Sequence, residues 1–128
     1  MRRDVLVYIS GPMTANTRTG ATIEEHTVQG FKAYIKLLQL GIPAFCPHLS
    51  GAFPSAWTAI DHTTWLAYDK AIIDRCTHLL MVGNWHESKG AVIEREYALA
   101  RQLPVAYSIT SLLDSLDYRV GAADGEGH

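Results

Sequence analysis

Two acids and a serine set the chemical question in this chain. Asp69 sits between apolar Leu66 and Ile72, and Glu94 follows 25 positions later, just beyond the polar stretch "NWHESKG" that ends at Gly90. Two carboxyl groups bordering one crevice can divide labour. One attacks as a nucleophile and the other gives a proton, provided their surroundings hold their pKa values apart. Ser88 and Gly90 head the helix expected to carry Glu94 in its first turn or so. Amide N–H groups at that helix start, with the Ser88 hydroxyl, suit a phosphate or a carboxylate. Tyr8 and Gly11 end the first apolar run, where a glycine lets the backbone approach a ligand. His48, directly after the second run, and Trp85, ahead of Ser88, are placed to meet a planar base. Each residue also has a bland counterpart. Helix acids are mostly solvated, and loop aromatics often only pack the loop down. Neither a Walker A motif nor a full Gly-x-Gly-x-x-Gly fingerprint is present.

Such groups need a scaffold, and four short apolar runs supply one: "DVLVYIS" (4–10), "IPAFCPHL" (42–49), "HLLMVG" (78–83) and "LPVAYS" (103–108). Their length and their β-branched and aromatic content read as buried strands. Helical patterns separate them. The first opens on a capping box, Thr22 to Glu25, and runs to Gly41 with an apolar stripe of Val28, Phe31, Ile35 and Leu38. The second spans about 63–75, with Leu66, Ile72 and Ile73 turned inward and Asp61 as its cap rather than as an acid-base partner of His62. The third covers 91–102, and a short last helix covers 111–116. Strand–helix alternation predicts an α/β domain with right-handed crossovers. The expected fold is a single flavodoxin- or Rossmann-like three-layer unit, with a parallel sheet of four or five strands in the order 2-1-3-4-5 and helices on both faces. Its ligand crevice lies at the strand carboxyl ends. The domain should occupy residues 1–118, with 119–128 a flexible tail. The loop 50–64, carrying Phe53 and Trp57, is long enough to read as an ordered lid.

Composition narrows the function. With 11 basic and 13 acidic residues dispersed along the chain and a net charge of −2, no electrostatic surface for nucleic acid or membrane is expected. No apolar run is long enough for a signal peptide core or a membrane span. Two cysteines, Cys46 and Cys76, without a Cys-x-x-Cys pair point to reduced thiols in a cytoplasmic protein. The six histidines are scattered without ligand spacing, so neither metal nor cofactor is expected.

The chain resembles the nucleoside 2-deoxyribosyltransferase superfamily, including its smaller relatives that hydrolyse the N-glycosidic bond of nucleoside monophosphates. The likeness covers most of residues 5–107. It rests on "YISGP" at the first strand end, the Asp within "LAYDKAIIDRCTHLLMV", and "SKGAVIE" opening the third helix. It implies an enzyme in which Glu94 attacks the anomeric carbon, Tyr8 orients that carboxylate, and Asp69 protonates or positions the departing base or holds a sugar hydroxyl. It also implies a nucleoside or nucleotide substrate and a homodimer or higher homo-oligomer. Free-nucleoside transferases of the family usually place Asp where Ser88 stands, whereas the monophosphate hydrolases place Ser. A hydroxyl can donate to a phosphate that a carboxylate would repel. Pro12 and Met13, however, stand where phosphate binders often offer Ser and Arg, so nucleoside and monophosphate both stay open. The competing class is a non-catalytic nucleotide-binding or sensor domain of the same fold. Such a domain would keep Ser88 and Gly90 without needing Tyr8, Asp69 and Glu94 together. A redox flavodoxin-like carrier is disfavoured by the lack of flavin-sandwiching aromatics.

Overall fold

The structure, a computed structural model, describes residues 1–12, 23–48 and 59–116. Its elements run β1 (Val7–Ser10), α1 (Ile23–Gln39), β2 (Ala44–Phe45), α2 (His62–Ile73), β3 (His78–Met81), a 3₁₀ turn (Trp85–Glu87), α3 (Lys89–Ala100), β4 (Val105–Ala106) and α4 (Ile109–Ser115). All strand pairs are parallel and the order is β2-β1-β3-β4. This is the expected α/β architecture, with β1 and β3 central and the order reversing at β1. The Thr22 cap, Met13, Phe53, Trp57 and the tail 119–128 lie outside the described residues.

Period-two alternation in β1 sorts the two faces of the sheet. Val7 and Ile9 join Ala33 and Leu37 of α1 and Leu112 of α4 in one apolar cluster. Tyr8 points the other way, with Leu79 and Met81 of β3, into a second cluster containing Ile73 of α2 and Ala91 and Ala98 of α3. Ser10 shares the face of Tyr8 and is also fully buried. Each helix layer thus covers one face of a sheet whose strands are apolar on both sides.

The strands are shorter than their apolar runs. Proline explains much of this, since Pro43, Pro47 and Pro104 flank β2 and β4 and cannot donate to a ladder. Pro43 and Pro104 still accept, from the amides of Val7 and Leu79. At the entry to β1 a side chain intrudes on the ladder: the Thr77 hydroxyl accepts from the Leu6 amide at 2.9 Å.

The first helix departs from the sequence reading. Val28 and Phe31 are 51% and 42% exposed, and Ile35 and Leu38 are only half buried. The buried side of α1 is His26, Gly30, Ala33 and Leu37 instead. That set has equally good helical spacing but contains a histidine and a glycine, which hydropathy ranks below the exposed stripe. Packing decided between two stripes. The helix ends at Gly41, whose φ of +78° allows the Ile42 and Gly41 amides to bond back to the Leu37 and Leu38 carbonyls, both at 2.9 Å.

Gly30 is where α1 meets the sheet layer most closely. A Cβ there would fall 2.4 Å from Cγ of the buried His48 ring. Gly30→Ala should therefore lower stability by about 1–3 kcal/mol, the usual cost of overpacking. Combining it with His48→Ala should recover part of that loss. Urea unfolding of the single and double variants checks both. Strictly additive losses would show that the two residues do not compete for the same space.

Candidate active site

Glu94 occupies the second turn of α3, not the first. Ser88 is the N-cap, accepting from the Ala91 amide at 3.2 Å, and Glu94 lies six residues further on. It points at the sheet and is 6% exposed. Two hydroxyls from one face of β1 hold it: Tyr8 donates to Oε2 at 3.1 Å and Ser10 donates to Oε1 at 2.7 Å. Asp69, 7% exposed on α2, faces Glu94 and the Tyr8 hydroxyl closely enough to perturb both, and it lines the same pocket as Glu94. Strand alternation supplies the hydroxyls and two separate helices supply the acids.

The arrangement around the acids is fixed from behind and below. Asp61 caps α2, accepting from the Thr64 amide at 2.7 Å, as expected. At the far ends of α2 and α3, Asp74 accepts from Tyr97 Oη at 2.6 Å and pairs with Arg101 at 2.9 Å. These surface contacts align the two helices more than they stabilise them.

Electrostatically the pair is unusual. Burial, followed by the neighbouring Asp69, pushes the Glu94 carboxyl well above the usual carboxylate range. Burial also raises Asp69, opposed by its hydrogen bonds to Glu94 and Tyr8 and by the nearby His62. Burial, with both acids beside it, raises Tyr8 well above its ordinary value, so it remains a donor. Two carboxyls side by side in a largely buried site ionise less readily together than either would alone. The positive end of α3 does not offset this rise. The dipole acts within the first turn, and Glu94 is beyond it.

The acids open onto a pocket of about 720 Å³. One side is aromatic and apolar, formed by Tyr34, Phe45, Trp65, Tyr68, Leu66 and Cys46. The other is the head of α3, formed by Glu87, Ser88, Lys89 and Gly90, with Gly11 and His62 also in the wall. Of the residues singled out in the sequence, Glu94, Asp69, Ser88, Gly90 and Gly11 meet here, and Tyr8 backs Glu94 from beneath.

His48 and Trp85 do not belong to this wall. The His48 ring is 1% exposed beneath Gly11 and Gly30, with His26 nearby. Trp85 packs against Tyr107, His86 and the Arg95 guanidinium. Gly11 has a packing reason beyond ligand approach, since a Cβ would sit 2.6 Å from the Val82 side chain.

Ser10, Trp65, Phe45 and Tyr34 escaped the sequence reading, and His62 was weighed there only against Asp61. Ser10 could have been found, because it lies two positions after Tyr8 and so shares its face. His62 and Trp65 stand seven and four positions before Asp69, on one helical stripe. Phe45 and Tyr34 carried no signal, because only folding brings them to the pocket.

The fold and site define a class: a three-layer α/β domain with a buried acid pair under a pocket at the strand carboxyl ends. The chain belongs to the family described as Domain of unknown function (DUF4406), whose model matches residues 5–107. No curated protein matches it. Among the described residues no cluster of three or more His, Cys, Asp or Glu could hold a metal ion, and no helix is long and apolar enough to cross a membrane.

Two pH effects follow from burial. His48 is held neutral, its pKa lowered from 6.5 to about 4 by burial and by His26. Its unfolded form gains a proton below pH 6.5 that the fold refuses until about pH 4, so stability falls over that interval. The loss amounts to roughly 3 kcal/mol and should vanish in His48→Leu, read as the difference between the two urea midpoints across the interval. Glu94 has the opposite sign: the raised carboxyl favours the fold at low pH and loses that contribution as pH rises through its folded pKa. Gln keeps the shape without a charge, its Oε1 accepting from one hydroxyl and its Nε2 donating to the other. Glu94→Gln should therefore unfold at the same or a higher temperature than the parent at pH 7–8. A clear drop in melting temperature would contradict the burial argument.

Proposed function

We propose that the protein cleaves the N-glycosidic bond of a (deoxy)nucleoside 5′-monophosphate or nucleoside through a covalent glycosyl-Glu94 intermediate. The observation that carries this reading is Glu94, gripped by the Tyr8 and Ser10 hydroxyls and touching Asp69 at the floor of an aromatic-walled pocket. A single rotamer, a partner acid and a planar pocket above are what displacement at an anomeric carbon requires.

In the forward step a Glu94 carboxylate oxygen bonds to C1′ while the C1′–N bond breaks. Its electron pair leaves with the base, which Asp69 protonates. In the second step water adds to C1′ and expels Glu94, and Asp69 takes the proton that water loses. A second base in place of water gives transfer instead of hydrolysis. The base fits between Phe45, Tyr34 and Trp65. The 5′ end fits the head of α3, where the Ser88 hydroxyl, the Lys89 and Gly90 amides and the Lys89 ammonium favour phosphate. Lys89 supplies a cation there, where Pro12 and Met13 supply none.

The same reading places the protein in the nucleoside 2-deoxyribosyltransferase superfamily, in a reducing cytoplasm, as a homodimer or higher homo-oligomer. Cys46 and Cys76 form no disulfide, and Val28 and Phe31 on α1 are exposed, both consistent with this.

Incubation with a panel of nucleosides and 5′-monophosphates, followed by chromatography for free base with and without an acceptor base, tests the reading. Glu94→Gln should lower base release by ~10³-fold or more, as loss of a covalent catalytic group does. Tyr8→Phe should cost about 10- to 100-fold, since one orienting hydrogen bond is lost. Near-full turnover by Glu94→Gln would exclude the covalent route. If the parent binds a nucleotide but cleaves nothing in the panel, the protein is a nucleotide-binding domain instead.

A further inference from the structure

Ser10 is fully buried, and its hydroxyl makes the shorter of the two bonds to Glu94, 2.7 Å against 3.1 Å from Tyr8. The Tyr8 hydroxyl also feels the charge of the second acid, Asp69. Among the described residues the Ser10 hydroxyl bonds to Glu94 and to no other acid. It is in register with Met81 of β3, and its side chain stays on the Glu94 side of the sheet. A hydroxyl so placed stabilises a carboxylate more than a neutral acid, because a charged acceptor makes the stronger bond.

We propose that Ser10 is a positioning residue that favours a proton on Asp69 over a proton on Glu94, so that Glu94 becomes the attacking anion and Asp69 the loaded donor. The proposal rests on the glycosidic-cleavage reading for its consequence but not for its physical content. When a substrate enters, the proton moves from Glu94 to Asp69 and thence to the departing base. No proton need be taken from solvent in the first step. Without the Ser10 hydroxyl the proton stays on Glu94, which then cannot attack. The titratable groups facing the pair are Tyr8 from β1, His62 on α2 beside Asp69, and Glu87 and Lys89 at the head of α3 on the pocket wall. Ser10→Ala leaves all of them in place.

The test reads Glu94 directly. In protein carrying ¹³C in the glutamate carboxyls, the Glu94 resonance is assigned by its absence in Glu94→Gln and followed across pH without any substrate. Ser10→Ala should raise its midpoint by about one to two pH units, the size expected for loss of one hydrogen bond to a charged group. Ser10→Thr, which keeps the hydroxyl, should return toward the parent value. With a cleaved substrate, Ser10→Ala should reduce kcat about 10- to 100-fold with KM little changed, by a factor that stays constant with pH while the pair holds one proton, because moving that proton between the two acids takes none from solvent. An unmoved Glu94 midpoint overturns the proposal, as does a kcat that Ser10→Ala leaves unchanged. A moved midpoint in a protein that cleaves nothing defeats the glycosidic reading and leaves the role of Ser10 standing.

Discussion

Two carboxyl groups share one nearly dry space, and most of the described structure can be read as the means of keeping them there. Desolvating a single carboxylate is costly, and desolvating two in contact is prohibitive unless a proton lies between them. The chain accepts that cost by surrounding Glu94 with hydroxyls rather than with a cation. An arginine in their place would fix Glu94 as a permanent anion and quench its reactivity. Hydroxyls hold the shape while leaving the proton free to move. The two β1 residues that provide them are a tyrosine and a serine, one long and one short, reaching the two oxygens of one carboxylate.

Opposite faces of β1 serve opposite ends. Val7 and Ile9 anchor it against α1 and α4, while Tyr8 and Ser10 meet α2 and α3. The strand is rigid because one face is pure core, and that rigidity is what allows the other face to carry polar groups without drifting. Around the carboxyl ends of the strands a second buried polar feature appears. His48 packs against Gly30, and neither of its ring nitrogens finds a hydrogen-bond partner among the described residues. Unpaired buried polar atoms cost stability. Tight packing at Gly30 and acid sensitivity thus arise from one ring.

Much of the fold was legible because it depends on local pattern. The four apolar runs, their intervening helices and the 2-1-3-4 order follow from periodicity and from the handedness of parallel crossovers. The α1 stripe was misread for an equally local reason. Two sets of positions, one with Val28 and Phe31 and one with His26 and Gly30, share the same spacing, and hydropathy favours the wrong one. Which set faces inward depends on what it must fit, and the His48 ring fits only over a glycine.

For the site, residue type and chain position alone determined that Tyr8, Gly11, Ser88, Gly90 and Glu94 would gather at strand ends and helix starts, since topology places those ends together. They also determined that Ser10 would share the face of Tyr8. Tertiary structure decided the rest. It brought Asp69 beside Glu94, buried both, and so pushed the pKa of each above the ordinary carboxylate value. It sent His48 and Trp85 away from the pocket and put Phe45, Tyr34 and Trp65 in the wall. The reason is physical: spacing along a chain fixes direction, but a pKa depends on how much water and which charges surround a group, and those are set only when separate elements meet.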